Sequence, residues 1–372
     1  MLKSLFKNRF PNNIGKILQL TKRHHCELPA IIMNNGNEMP IIGFGTWSSS
    51  NDFAVLEKVE QQGQKKPQEN CNNNEESEKV SKAVGIAIDA GYRHIDCAHL
   101  YKNEKDIGQV LKRKIEGGVV KRENLFITSK LWNTYHDPDT VCSACQQTLE
   151  DLGLEYLDMY LMHTPMGFQT GEEHFPMCEG ELLYSDDDFL DTWQAMEDLV
   201  ESKLCKNIGI SNFNKKQIKR LLKNCNIKPQ TLQIEIHPYL TQKELVNYAK
   251  CQDICITAYA PVGSPKRPWA KKQKNERILL KDYKILQLSE KHKRTAAQIL
   301  LRYQIQCGHA VIPKSTDKKH ITENIDIFDF ELCPEDVLNI ESLNHNLRYF
   351  PFSGASGHPY HPFEQSDEPN KC

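Results

Sequence analysis

The stretch Gly91-Tyr-Arg-His-Ile-Asp-Cys-Ala-His-Leu-Tyr101 decides how the rest of the chain is read. Within it, Arg93–Asp96 is a short run that stops abruptly at a carboxylate, and a helix-like segment follows. The same unit recurs in both directions. Ile41–Gly45 precedes it, and Leu125–Lys130, Tyr156–His163, Asn207–Ser211, Thr231–Glu235, Ile254–Tyr259 and Ala310–Lys314 follow it. Strand–helix units repeated in this way, with no block of different pattern between them, predict a single α/β domain. In that domain a parallel sheet closes into a (β/α)8 TIM barrel. An open sheet of the Rossmann kind is unsupported, because Gly43-Phe-Gly45 lacks the third glycine of the dinucleotide fingerprint. Ser77 is placed to cap the helix running to Ala90, and Thr241 the helix running to Lys250.

A barrel of this kind gathers the C-terminal ends of its strands at one mouth, where active sites sit. Here that mouth collects Asp96, Lys130, His163, Ser211, Asn212, Gln233, Glu235, Tyr259, Lys314 and Ser315. A carboxylate, an ammonium, an imidazole and several amides thus converge on one spot. One polar strand end would be ordinary; this combination points to chemistry.

Composition narrows the partners. With 47 Lys+Arg against 49 Asp+Glu in 372 residues the net charge is −2. That balance gives no electrostatic reason to expect a nucleic acid or an anionic membrane surface. No run reaches the roughly 18 apolar residues of a membrane span. The 13 cysteines follow no secretory leader and read as free thiols in a reducing compartment, so a cytoplasmic location is expected. Residues 1–28 form a basic extension. Its first 26 residues hold six Lys/Arg and no Asp or Glu, a composition shared by mitochondrial transit peptides and untargeted tails. Residues 29–350 make up the barrel, interrupted after the first strand by a low-complexity, mobile insertion at 51–78. That insertion leaves from the mouth side, either as a flap or, the preferred reading, as an excursion with no catalytic role. Residues 351–372 are read as a C-terminal loop and tail. His94, Cys97 and His99 alternate across faces, and no zinc spacing occurs, so no metal is expected. Cys142-Ser-Ala-Cys145 falls in a helical pattern rather than a redox context.

The opening stretch resembles the signature of the aldo-keto reductases, within them the aldose and aldehyde reductase branch. The similarity continues through Ile127–His136, Asp151–His163, Gly209–Asn214, Gln233–Gln242, Thr257–Pro265, Arg267–Lys271 and Val311–Ser315. The resemblance implies a barrel that reduces small-molecule aldehydes and ketones with a nicotinamide dinucleotide, and it implies residue roles. Tyr101 would donate the proton, Lys130 and Asp96 would tune it, and His163 would orient or polarise the carbonyl. Ser211, Asn212 and Gln233 would bind the carboxamide, with Tyr259 stacked on the ring. Lys314 and Ser315 would meet the 2′-phosphate, and Glu323 and Asn324 the adenine; Thr316 and Ser264 lie in the loops after the last two strands, where barrels hold phosphates. Trp47, Trp132, Thr164, Phe175 and Trp269 would line the substrate pocket.

Physical chemistry supports the central assignment. Tyrosine is a weak acid with a pKa of about 10. A neighbouring ammonium favours the tyrosinate, so Lys130 is expected to make Tyr101 more acidic. The sequence also departs from the family pattern. His320 stands where relatives carry an arginine for the 2′-phosphate; it lacks the guanidinium fork. NADPH is therefore expected to be preferred over NADH by a narrowed margin. Ala260 replaces a serine, Asn133 a cysteine and Thr164 a tryptophan, which predicts a wider, more polar pocket. A monomer is expected. The rival readings are a metal-assisted barrel hydrolase, for which His163 is the lone strand-end histidine, and a cofactor-binding barrel with a regulatory, non-catalytic role.

Overall fold

The computed structural model describes residues 28–47, 72–272 and 277–363. The basic extension before Leu28, residues 51–71 of the insertion and the tail after Phe363 lie outside the described residues.

The barrel wall consists of β3 (Gly43–Gly45), β4 (His94–Asp96), β5 (Phe126–Leu131), β6 (Met159–Met162), β9 (Ile208–Ser211), β10 (Thr231–Glu235), β11 (Cys255–Tyr259) and β12 (Ala310–Val311), in that spatial order. Every neighbouring pair is parallel. Closure comes from a parallel bridge between Ile42 and Val311, with the Val311 N–H donating to the Ile41 carbonyl at 2.9 Å. All six residues of β5, Phe-Ile-Thr-Ser-Lys-Leu, are buried, as a strand covered on both faces must be. The expected fold is therefore present.

Two short antiparallel pairs were not foreseen: β1 (Ala30–Ile32) with β2 (Glu38–Pro40), and β7 (Met177–Cys178) with β8 (Glu181–Leu182). The first turns through Asn35-Gly36, where Gly36 takes φ +87°. Its loop is tied to the start of β9, the Asn35 side-chain amide donating to Asn207 Oδ1 at 2.7 Å. This hairpin covers the barrel's N-terminal end, opposite the mouth.

The helical layer starts with α1 (Asn72–Asp89), α2 (Glu104–Glu116) and α3 (Pro138–Leu152), which pack in series outside β4 and β5. α3 shows the local rules well. Pro138 occupies its first turn, Asp137 caps it by accepting from the Asp139 N–H at 3.0 Å, and Gly153 ends it at φ +64°. Two expected caps fail. Because α1 begins at Asn72, Ser77 sits inside the helix, where its hydroxyl donates to Asp106. Residues 72–78 thus belong to α1 rather than to the insertion. Thr241 does not cap the helix at Lys243–Cys251; Gln242 adjoins that helix in a left-handed conformation without a side-chain cap.

Asp282 and Thr295 do cap the helices at Tyr283–His292 and Ala296–Gln306. The segment after Phe350 is better packed than a tail: Phe352, Ala355 and His358 are buried, and His358 Nε2 bonds the Gly167 carbonyl at 2.9 Å. No helix among the described residues is long and apolar enough to cross a membrane.

Between wall and helices lies Glu104, buried on α2, accepting from the Ser129 hydroxyl at 2.5 Å and the Thr148 hydroxyl at 3.3 Å. Burial pushes its carboxyl up to about 7, against the pull of the two hydroxyls. Between the ordinary glutamate value and about 7 the folded chain holds a proton that the unfolded chain has released. Stability should therefore fall as pH rises through that window. Glu104→Gln is expected to remove this slope and to gain on the order of 1–3 kcal/mol at pH 8. Thermal melts between pH 5 and 8 check it; a wild type whose melting point ignores pH in that range contradicts it.

Candidate active site

At the mouth the end of β4 supplies Asp96, β5 supplies Lys130, and His163 follows β6 directly. Tyr101 closes a single 3-10 turn, His99–Tyr101, that the chain makes on leaving β4. Lys102, in a left-handed conformation at φ +53°, stops that turn and leaves Tyr101 leaning back over the strand ends.

The Lys130 ammonium is fully buried, and its three donors are accounted for. It donates to Asp96 Oδ1 at 2.5 Å, to the Cys97 carbonyl at 2.8 Å and to the Tyr101 hydroxyl at 3.4 Å. The last contact is longer than an ideal hydrogen bond, yet close enough for strong charge coupling. The other Asp96 oxygen accepts from the Gln233 side-chain amide at 2.8 Å, so β10 fixes the carboxylate that fixes the lysine. Burial pulls the Lys130 pKa down, but Asp96 and Tyr101 outweigh it, and the group stands above the ordinary lysine value. It is an ammonium at any physiological pH.

For Tyr101 the sequence expectation is corrected. Its net shift is upward, to about 12: burial raises it most, Lys130 lowers it and Asp96 raises it again. The ammonium does act in the expected sense, but loss of solvent wins. The resting phenol is therefore protonated.

Burial, reinforced by Lys130, holds His163 well below the ordinary histidine value, so its ring is neutral. That ring lies edge-on to Tyr101 at 5.9 Å and to Trp132 at 5.3 Å.

A second group of residues links four strand ends. Asn212 donates to the His163 carbonyl at 2.9 Å and to Ser211 Oγ at 3.1 Å. Ser211 donates to the Gln233 carbonyl at 2.9 Å, and Tyr259 donates its hydroxyl to Asn212 Oδ1 at 2.9 Å. Asn212, Ala260 and Ser264 all carry left-handed backbones, at φ +60°, +48° and +40°. Such backbones are uncommon outside glycine and asparagine; others in the chain follow helix ends, as at Lys203 and Lys293.

Beyond β12, Lys314 Nζ stands 3.9 Å from Glu76 on α1, and Ser315 Oγ accepts from the Asp317 N–H at 3.1 Å. Asp317 caps the helix Lys318–Ile325 by accepting from the His320 N–H at 3.0 Å. Thr316 and the His320 side chain are exposed, Glu323 is half-buried and Asn324 buried.

Of the expected pocket residues, Trp132 and Thr164 are buried and Trp47, Phe175 and Trp269 half-buried. Trp132 packs on Phe175 at 5.4 Å, and Trp47 on Trp269 at 6.2 Å. Thr164 donates its hydroxyl to Asn133 Oδ1 at 2.9 Å, so two of the departures from the family pattern meet in one hydrogen bond. Phe350 was missed: it stands edge-on to Tyr259, Trp269 and Trp47 at 5.5, 5.3 and 5.8 Å. Its signal was the aromatic run Tyr349-Phe-Pro-Phe352, which straddles the end of the barrel and the start of the C-terminal segment. Among the described residues no three His, Cys, Asp or Glu side chains are grouped to hold a metal ion.

A model of the Aldo/keto reductase family matches residues 42–345. The chain belongs to that family. Aldo-keto reductase family 1 member A1 of Gallus gallus is 42% identical over 349 residues, covering 91% of this chain and 98% of its own. The human protein of that name is 40% identical over 344 residues, with coverage of 90% and 97%. The structure of the aldose reductase from Schistosoma japonicum is also similar, with a TM-score of 0.78 and 39% identity. It covers 91% of this chain and 99% of that one. As an aldo-keto reductase the protein is an oxidoreductase of carbonyl compounds that uses a nicotinamide dinucleotide.

In this reductase, removing Lys130 strands the Asp96 charge. Lys130→Met is expected to cost about 3–5 kcal/mol of stability and at least about 100-fold in turnover. Asp96→Asn/Lys130→Met should regain most of the stability and none of the turnover. Urea melts beside steady-state kinetics separate the two; recovered turnover in the double variant would contradict the assignment.

Proposed function

We propose that the protein reduces aldehydes and ketones to alcohols with NADPH, Tyr101 acting as the proton donor. The observation that carries this reading is the fully buried Lys130 ammonium within 3.4 Å of the Tyr101 hydroxyl. A bound reduced nicotinamide supplies the hydride to the carbonyl carbon. The oxygen left behind becomes an alkoxide, a far stronger base than a phenolate, so proton transfer from Tyr101 runs downhill. Lys130 stabilises the tyrosinate that results, which is where the differential stabilisation of the transition state arises. His163, being neutral, donates a hydrogen bond to the same oxygen without competing for the proton.

The donor set fits a dinucleotide. Ser211, Asn212 and Gln233 present amide and hydroxyl groups beside the Tyr259 ring, which is half-exposed and can cover a nicotinamide. The left-handed backbones at Ala260 and Ser264 and the Lys314 ammonium continue the track toward Glu323 and Asn324. Lys314 is drawn below the ordinary lysine value by burial, and Lys266 nearby adds a second positive charge. Trp47, Trp132, Phe175 and Trp269 supply apolar walls for the carbonyl substrate. A regulatory barrel that kept the cofactor and lost the chemistry would have no need of the Asp96–Lys130–Tyr101 arrangement.

Loss of absorbance at 340 nm with NADPH and an aromatic aldehyde tests the reaction, and Tyr101→Phe should lower turnover by at least about 100-fold. Full activity in that variant overturns the proton-donor role. NADPH should bind more tightly than NADH, but by a reduced margin, since Glu76 competes for Lys314 and His320 offers no bidentate contact. Glu76→Gln and His320→Arg are each expected to tighten NADPH several-fold, about 1 kcal/mol, with NADH unchanged. Fluorescence titration reads both; equal gains for the two cofactors would place these residues away from the 2′-phosphate.

A further inference from the structure

Glu235 ends β10 at the mouth with no exposed surface, and the reaction proposed above does not use it. A buried carboxylate is costly unless every lone pair finds a partner. Its partners come from two places. Oε1 accepts from the Tyr349 N–H at 2.7 Å and from His237 Nε2 at 2.8 Å; Oε2 accepts from the Phe350 N–H at 3.1 Å. Arg348 adds a guanidinium nitrogen 4.0 Å from Oε2 and donates to Gln242 Oε1 at 3.1 Å. These groups hold the carboxylate below the ordinary glutamate value although burial alone would raise it.

Two consecutive backbone amides of the C-terminal segment are thus held by one side chain at the end of a barrel strand. What they place is an aromatic wall. The Phe350 ring meets Tyr259, Trp269 and Trp47 edge-on, and the Tyr349 carbonyl accepts from Trp269 Nε1 at 2.8 Å. The Tyr349 ring lies between Arg267, 3.9 Å from its centroid, and the His237 ring at 4.7 Å. The Glu235 anchor therefore connects β10, the loop after β11 and the C-terminal segment through the residues that flank the proposed pocket.

We propose that Glu235 is a positioning residue for substrate selectivity: its carboxylate fixes residues 349–350, so that Phe350 closes the apolar wall against which a bulky carbonyl compound binds. This rests on the reductase reading for the location of the pocket. Glu235→Gln is the discriminating change, because one oxygen becomes an NH2 group facing a backbone N–H, setting donor against donor.

With the full chain and NADPH, Glu235→Gln should raise KM for 2-naphthaldehyde about tenfold while kcat for propanal stays within twofold. Phe350→Ala should raise KM for 2-naphthaldehyde by a similar factor, and the double variant should be no worse than either single one, since both act through one wall. Hydrogen exchange provides a readout independent of activity, with the amides of β5 as the control for the variant's folding. In the wild type the Tyr349 and Phe350 amides should be strongly protected, and in Glu235→Gln they should exchange at least tenfold faster. Equal losses on the two aldehydes, additive effects in the double variant, or unprotected wild-type amides would overturn the anchor. Absence of any wild-type turnover would instead sink the reductase reading, and protection of the two amides would then decide the anchor alone.

Discussion

The ion pair between Lys130 and Asp96 is the constraint on which the rest of the mouth depends. Two fully buried opposite charges are tolerable only when geometry and hydrogen bonding are complete. That requirement explains why Gln233 holds the second oxygen of Asp96, why the Cys97 carbonyl faces the ammonium, and why Tyr101 returns over the end of β4. The pair contributes little to stability relative to a well-packed apolar substitute. What it supplies is a fixed positive charge beside a phenol, and barrel closure by Ile42 and Val311 holds the neighbouring strands that carry it.

The electrostatic logic differs from the simplest picture of an acidified tyrosine. Loss of solvent raises the phenol more than the ammonium lowers it. The two effects act on different states. Burial keeps the proton on Tyr101 while the site waits; the ammonium becomes worth most once the proton has left and the oxygen is negative. A group that is protonated at rest and stabilised when deprotonated suits a proton donor better than one already half-ionised. Burial likewise keeps His163 neutral, which lets it donate a hydrogen bond without carrying a charge of its own.

Much of this could be read from the residues because strand ends declare themselves: a buried run stops, a polar side chain follows, and parallel topology sends those side chains to one place. Asp96, Lys130, Gln233 and Tyr259 were legible on that basis, and the family resemblance added Tyr101, which lies beyond its strand. The net pKa of Tyr101 was not legible, since burial is a property of the assembled mouth. Nor was the Thr164–Asn133 hydrogen bond, which needs two loops to be brought together. Thr241 failed as a cap because Gln242, one residue on, takes the turn that ends before the helix. Glu235 could be placed at the mouth, but its partners are amides in a segment whose sequence has no periodicity. The Asn35-Gly36 hairpin is a different case: its turn signal was present and passed unread.

The direct measurement is of Tyr101 itself. Tyrosine labelled with 13C at Cζ, with the Tyr101 signal assigned by its loss in Tyr101→Phe, reports the ionisation of this phenol by NMR from pH 6 to pH 12.5, a range that reaches its raised value of about 12. The account predicts a protonated signal at neutral pH in the wild type and a titration displaced to still higher pH when Lys130 is replaced by methionine. A Tyr101 that titrates identically with and without the Lys130 ammonium would contradict it.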